Sequence, residues 1–397
     1  MENRVKKILA ASYVGYITQA IVNNLAPLLF LIFSREFEVT LEKITLIITM
    51  NFGVQLAVDL AASKLVNKIG YKQMIVAAHV FAALGLAGMG LLTLLPMPYT
   101  WLLVSSVIYA VGGGLIEVMI SPIVEACPTD SKSGAMSLLH SFYCWGQVFT
   151  VVMSTVFLSV FGEEKWRILA VLWALIPLAN AFFFSTLKLY QLQPTGSEIK
   201  LRVLFNIKLF WLFLAMMMCA GASELAMSQW ASAYAQKALG VSLEIGNLAG
   251  PCLFALLMGT ARAIYAKSSD KINLLSAMIG CCSLCIVGYL LAGLSPLPAL
   301  GFAGCGLVGF SVGIMWPGIF SLAGEKCPQG GTAMFAMLAL AGDLGCTGGP
   351  TATGFISGAN SGELKSGLLF AVVFPLILGI VSVCFKLSGK KSSVPKH

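Results

Sequence analysis

The sequence predicts an all-α integral membrane protein, with twelve transmembrane helices in two pseudo-symmetric six-helix bundles. Three observations carry this. The 397-residue chain is 58% hydrophobic and only 11% charged, with a mean hydropathy of +0.88, whereas a soluble domain carries about 25% charged residues. Apolar runs of about 20 residues, the length that crosses a bilayer as a helix, recur along the chain in place of the alternating pattern of barrel strands. The longest polar connection then divides those runs six and six.

The first run, 8–33, contains Asn23 and Asn24. It is too long for a signal-peptide core and has no clear cleavage site, so it reads as a retained helix. The second, 44–65, carries Asn51, Gln55 and Asp59; the third, 73–95, carries His79, expected to be packed. The fourth, 99–124, holds Glu117 inside Gly112-Gly-Gly-Leu-Ile-Glu-Val-Met-Ile-Ser-Pro122. The fifth, 133–161, holds His140, Tyr143, Trp145 and Gln147, and the sixth is 167–187. In the second half, run 208–236 carries Glu224, Gln229, Trp230 and Tyr234, followed by 244–265 and 272–294. Trp316 lies in 297–323, Asp343 in 332–356, and the last run is 366–386. The expected domains are 1–187, a cytoplasmic linker 188–207 containing Pro194-Thr-Gly-Ser-Glu, and 208–397 with a short basic tail.

The net charge of +8 is a topology signal. With both termini cytoplasmic, the 25 basic residues sort asymmetrically. The outer side holds only Arg35, Lys43, Lys165, Arg167, Lys237 and Lys365, and the rest fall on the inner side, as the positive-inside rule requires. The chain is therefore expected as a multi-pass protein of the cell membrane (the inner membrane of a bacterial cell), with the lipid bilayer and a small molecule as partners, no nucleic acid, and a monomeric state. The 11 cysteines avoid the outer loops, so disulfides are not expected. Cys281-Cys282-Ser-Leu-Cys285 has no His or acidic neighbour in its apolar helix and reads as packing rather than a metal site.

The halves echo each other. Ser121-Pro-Ile-Val-Glu-Ala-Cys-Pro128 recurs loosely as Trp316-Pro317 and Glu325-Lys-Cys-Pro328, and coincidence with the central loop points to internal duplication. Duplicated six-helix halves place a substrate site at their interface near the midplane. Many of the 40 glycines fall at small-residue spacing, such as Gly301 with Gly304 and Gly309 with Gly313, which lets membrane helices pack closely.

A carboxylate in mid-membrane is costly and usually functional. Glu117 is thus either a proton carrier or substrate acceptor, or a structural acid bonded to a neighbouring helix. His140, Tyr143 and Gln147 recur on one helical face. Rings with hydrogen-bonding partners suit a sugar, though aromatic packing gives the same pattern. Glu224 and Ser228 share a face, and Asp343 is either an ion ligand or a hinge-region acid. No Walker loop follows Gly112-Gly-Gly, and no enzyme signature or cofactor motif is present. Transport would then be driven by a proton or sodium gradient or by the solute itself.

The loop Ser63-Lys-Leu-Val-Asn67-Lys68-Ile-Gly70-Tyr71-Lys72, with six-plus-six organisation, resembles the major facilitator superfamily. That signature runs Gly, three residues, Asp, basic, any, Gly, basic, basic. Here Ser63 and Asn67 replace its glycine and acid, and the second half keeps Gly259 and Arg262 with Lys267 beyond. The resemblance implies the major facilitator fold and a gating role for Lys68, Gly70 and Arg262, with Asp59 as a substitute charge. Asn23-Asn24-Leu, Gly112 to Glu117 and Pro122, Phe142 to Gly146, and Gly221-Ala-Ser-Glu224 with Trp230 and Tyr234 further resemble the fucose–galactose–glucose:proton symporter branch. That resemblance implies a sugar or sugar-like solute carried by alternating access. Asn23, Asn24, Glu117, His140, Tyr143, Trp145, Gln147, Glu224, Gln229 and Trp230 are the expected substrate residues, and Glu117, Glu224 and Asp343 the expected ion-coupling ones. Fucose carriers of the branch bear an aspartate where this chain has Pro27, which leaves Glu117 without that partner. A multidrug or metabolite exporter, a facilitative uniporter and a transport-dead receptor are the alternatives.

Overall fold

The computed structural model describes residues 2–129, 132–190, 204–268, 273–327 and 331–391. The linker residues Pro194 to Glu198, together with Lys200, Arg202, Lys271 and Pro328, lie outside the described residues, as do the side chains of Ser63, Asn67 and Lys267.

The described residues are helical, without strands. The first half contains α1 (Glu2–Glu36), α2 (Leu41–Ile69), α3 (Tyr71–Leu91), α4 (Pro98–Glu125), α5 (Lys132–Phe161) and α6 (Trp166–Thr186). The second half opens with α7 (Lys208–Ala238). Its next span is α8 (Leu243–Asn247), a π turn (Leu248–Cys252) and α9 (Leu253–Ser268). Then follow α10 (Leu274–Leu294), α11 (Pro298–Val312) with α12 (Met315–Lys326), α13 (Gly331–Ala359), and α14 (Leu364–Ala371) with α15 (Val373–Lys391).

Among the described residues, 11 helical spans are long and apolar enough to cross a membrane. The remaining expected run, 332–356, is the helix α13, whose Asp343, glycines and threonines dilute its hydropathy. Several helices outrun their apolar runs because the polar turns at each end continue the helix. The first starts at Glu2 rather than near residue 8.

Three runs expected to be continuous are interrupted, each at a proline. A helical proline offers no N–H to the carbonyl four residues back. For Pro251 that carbonyl belongs to Asn247, the last residue of α8. For Pro317 it belongs to Gly313, in the break between α11 and α12. For Pro375 it belongs to Ala371, the last residue of α14.

The chain forms two compact units, 1–194 with 243–248, and 195–242 with 249–397. Within the first, α3 packs on α4 and α6, α1 on α5, and α2 on α4. Within the second, α10 packs on α11 and α15, α7 on α13, and α9 on α11. These are the same pairings counted by span, so the units repeat one internal plan, as duplication predicts. Glycine sets the close approaches in both. A Cβ added at Gly112 would lie 2.6 Å from Ala78 O of α3, and one at Gly304 would lie 2.9 Å from Ala292 N of α10. Both repeat motifs also end alike, with Cys127 and Cys327 buried just past the ends of α4 and α12.

Gly70 alone joins α2 to α3. Its N–H bonds Val66 O at 2.8 Å and its φ of +92° is a left-handed value that favours glycine.

Candidate functional site

The first unit carries a run of buried amides that ends on a carboxylate. Gln19 and Asn23 sit four apart on α1, Asn51 and Gln55 four apart on α2, so each pair presents one helical face. Gln19 Nε2 donates to Gln55 Oε1 and to Glu117 Oε2, both at 2.9 Å. Gln55 Nε2 donates to Asn23 Oδ1 and Asn51 Oδ1, both at 2.8 Å. Asn51 Nδ2 donates to Asn23 Oδ1 at 3.1 Å, and Asn23 Nδ2 reaches Tyr143 Oη at 3.5 Å. Both amide hydrogens of Gln19 and of Gln55 are therefore used, and the chain links α1, α2, α4 and α5.

All four amide side chains are buried, at 3–5% exposure, while Glu117 is exposed. The network is thus a buried polar scaffold with an exposed glutamate at its end. In a low dielectric such a network is worth most when fully satisfied. One acceptor stands out: Gln19 Oε1 is buried and has no hydrogen-bond partner.

The triple glycine of α4 makes room for this. A Cβ at Gly113 would lie 3.0 Å from Val22 Cγ1 and 3.2 Å from both Gln19 Oε1 and Gln55 Cδ. A Cβ at Gly114 would lie 3.0 Å from Gln55 Cα. A side chain at these positions would make Val22, Gln19 and Gln55 give way by a few tenths of an ångström.

Around the network, Tyr13 stacks on Phe142 with ring centroids 4.4 Å apart. His140, exposed, meets the edge of Tyr16 at 5.3 Å. Tyr16 Oη is 3.1 Å from Ser121 Oγ of α4. Tyr143 is half-buried and Gln147 is buried. Asn24 turns its amide to Ala20 O of its own helix at 2.8 Å, so it is absent from the inter-helix bonds that Asn23 makes. Trp145 is 60% exposed on α5.

His79 is a packing residue. Its Nδ1 bonds Ile75 O and its Nε2 meets Asn180 Nδ2, both at 2.8 Å, while Asn180 Nδ2 also donates to Ala11 O at 3.0 Å. This fixes the neutral tautomer with the proton on Nδ1 and ties α3 to α6 and α1.

In the second unit, Glu224 of α7 is buried, and its Oε2 lies 3.7 Å from Arg262 Nη2 of α9. Arg262, expected at a cytoplasmic loop, thus stands beside an intramembrane acid. Trp230 is fully buried and its Nε1 donates to Pro350 O at 2.9 Å. Its ring is therefore anchored to α13 through that bond. Gln229 is likewise buried. Asp343 is half-buried on α13, Asp59 half-buried on α2, and Lys68 exposed at the end of α2. Among the described residues no three His, Cys, Asp or Glu side chains converge as a metal site would require.

Gln19, Asn51 and Gln55 are the network residues that the expected site omitted. Their signal was present in the paired amides four apart on two successive helices.

The sequence profile of the Major Facilitator Superfamily matches residues 11–350. No curated protein shows significant sequence similarity to the chain. Among solved structures, the E. coli fucose:proton symporter is 18% identical with a TM-score of 0.65, covering 95% of this chain and 98% of its own. A nucleoside transporter is 12% identical with a TM-score of 0.77, covering 95% and 99%. A bacterial homologue of the human lysosomal transporter Spinster is 14% identical with a TM-score of 0.78, covering 100% of both. At such identities the likeness shows the fold.

Proposed function

The chain belongs to the Major Facilitator Superfamily, and from that premise we propose that it is a secondary transporter of a sugar or sugar-like polar solute, coupled to protons or sodium through Glu117. The observation that supports this most is the Glu117 carboxylate held by Gln19 in the middle of a membrane helix, on a residue that is exposed. Such a group binds a solute hydroxyl, a proton or a cation.

The surrounding chemistry is that of hydroxyl recognition. Gln19 Oε1 is a buried acceptor without a hydrogen-bond partner, Tyr143 of α5 reaches Asn23 of the same network, and the amide scaffold keeps the acceptors fixed. Preorganised acceptors cost little reorganisation when a hydroxyl donates to them. The similarity to a fucose:proton symporter and to a nucleoside transporter, both named for solutes that contain a sugar ring, agrees with this substrate class.

The two buried-helix acids differ in what stands beside them. Protonating Glu224 would remove the carboxylate from its ion pair with Arg262, and breaking a largely buried pair is costly. Among the described residues no cation lies within ion-pair distance of Glu117, so it can change charge without breaking an ion pair. We therefore assign coupling to Glu117 and charge compensation to the Glu224–Arg262 pair. A facilitative uniporter is the second reading, favoured by Pro27, which stands where fucose carriers have their second acid.

The test is uptake of radiolabelled hexoses and nucleosides into proteoliposomes under imposed pH or sodium gradients. Accumulation above equilibrium under one gradient supports coupled transport. Exchange without accumulation supports the uniporter, and neither exchange nor accumulation of any such solute contradicts the substrate class.

A further inference from the structure

The first unit has a groove on its outer wall that the transport reading does not use. It has a volume of about 500 Å³ and is lined by Lys72, Val76, Ala77, Val80 and Phe81 of α3, with Ser185 of α6 at its rim. Val80 and Phe81 are 37% and 40% exposed, and Leu84 on α3 and Phe182 on α6 are 58% and 74% exposed. Apolar side chains so open on a membrane protein face the hydrocarbon of the bilayer.

The charged end of the groove is one-signed. The Lys72 side chain makes no ion pair or hydrogen bond among the described residues. Lys68 at the end of α2 precedes it by four residues across the Gly70 turn, Lys188 follows Ser185, and both are exposed. No acidic residue occurs in 60–116 or in 166–190, so nothing on α3 or α6 answers these charges. Arg4 sits at the same end, its guanidinium bonded to Lys188 O and Leu189 O at 2.7 and 2.8 Å and stacked 4.1 Å over Tyr190.

We propose that this groove holds an anionic phospholipid of the adjoining leaflet, with its phosphate on Lys72 and one acyl chain along Val76, Val80 and Phe81. Charge complementarity and shape both favour this occupant. A cation with no partner among the described residues caps an apolar trough of bilayer-facing side chains, and basic pockets between transmembrane helices select anionic headgroups. A zwitterionic lipid would fill the trough equally well but would bring its own cation next to Lys72. This site lies apart from Glu117, so its occupancy does not depend on what the protein transports.

The experiment uses the full chain, purified in detergent and mixed with equal amounts of phosphatidylglycerol and phosphatidylethanolamine. Retained lipid is then counted by native mass spectrometry. The expected result is preferential retention of phosphatidylglycerol, reduced about fivefold in Lys72→Gln, the change that loss of one basic contact brings. Val76→Trp, which fills the trough without altering charge, should also reduce it. Lys165→Gln, at the opposite end of α6, should not. Equal retention of both lipids by the unmodified protein, or an unchanged preference in Lys72→Gln, overturns the proposal.

Discussion

Glu224 and Arg262 lie 3.7 Å apart on the seventh and eighth spans, and on the corresponding first and second spans Gln19 and Gln55 meet at 2.9 Å. One unit thus joins its first two spans with a neutral amide pair, and the other joins them with a charge pair. Because the neutral version exists in the same fold, the charged version can be tested by converting it.

Glu224→Gln and Arg262→Gln should each lower stability by about 1–3 kcal/mol. That is below the cost of breaking a fully buried pair, because the Arg262 side chain keeps 27% of its surface accessible. The double variant, an amide pair like that of the first unit, should recover most of the loss. Thermal unfolding of the purified variants measures this. Losses that simply add in the double variant would show that the two groups do not compensate each other.

Gly113→Ala should weaken the site more than the bundle. Its methyl would press on Gln19 Oε1 and Gln55 Cδ at 3.2 Å, an overpacking cost of about 1–3 kcal/mol that falls on the amides holding Glu117. Solute affinity in proteoliposomes should fall at least tenfold while the folded protein is still recovered from the membrane. Unchanged affinity would mean the network tolerates displacement.

Asn180→Ala should be a stability variant only. It leaves His79 Nε2 and Ala11 O without the donor they share, and an unsatisfied buried polar group costs about 1–3 kcal/mol. The melting temperature should drop with the solute KM unchanged. A shifted KM with normal stability would move His79 into the transport machinery.

Trp230→Phe separates packing from solute stacking. The change removes the bond to Pro350 O and should cost about 1 kcal/mol of stability with no effect on KM. A raised KM at normal stability would place Trp230 in the binding site.

The fold was legible because the bilayer constrains it. Apolar runs long enough to cross a bilayer needed no tertiary detail. The breaks near Pro251, Pro317 and Pro375 were less so, since Pro27, Pro122, Pro177 and Pro350 lie inside helices that continue. The amide network was the least legible part. A membrane helix is apolar on nearly every face, so the sequence pattern does not say how each helix is rotated about its axis. That rotation decides that Asn23 bonds across to α2 while Asn24, one residue on, turns back to Ala20. It likewise decides that Trp145 is open while Trp230 is enclosed. The glycines of α4 were visible as small residues, but which neighbour each one admits depends on the packing.

The most direct test is gradient-driven accumulation in proteoliposomes of Glu117→Gln beside the unmodified protein, with solute exchange measured on the same vesicles. Glutamine keeps an oxygen that Gln19 Nε2 can reach, so the network and the fold should survive. The account predicts that Glu117→Gln still exchanges solute across the membrane but no longer accumulates it under a pH or sodium gradient. Accumulation at the unmodified level would show that Glu117 neither carries the coupling ion nor controls it.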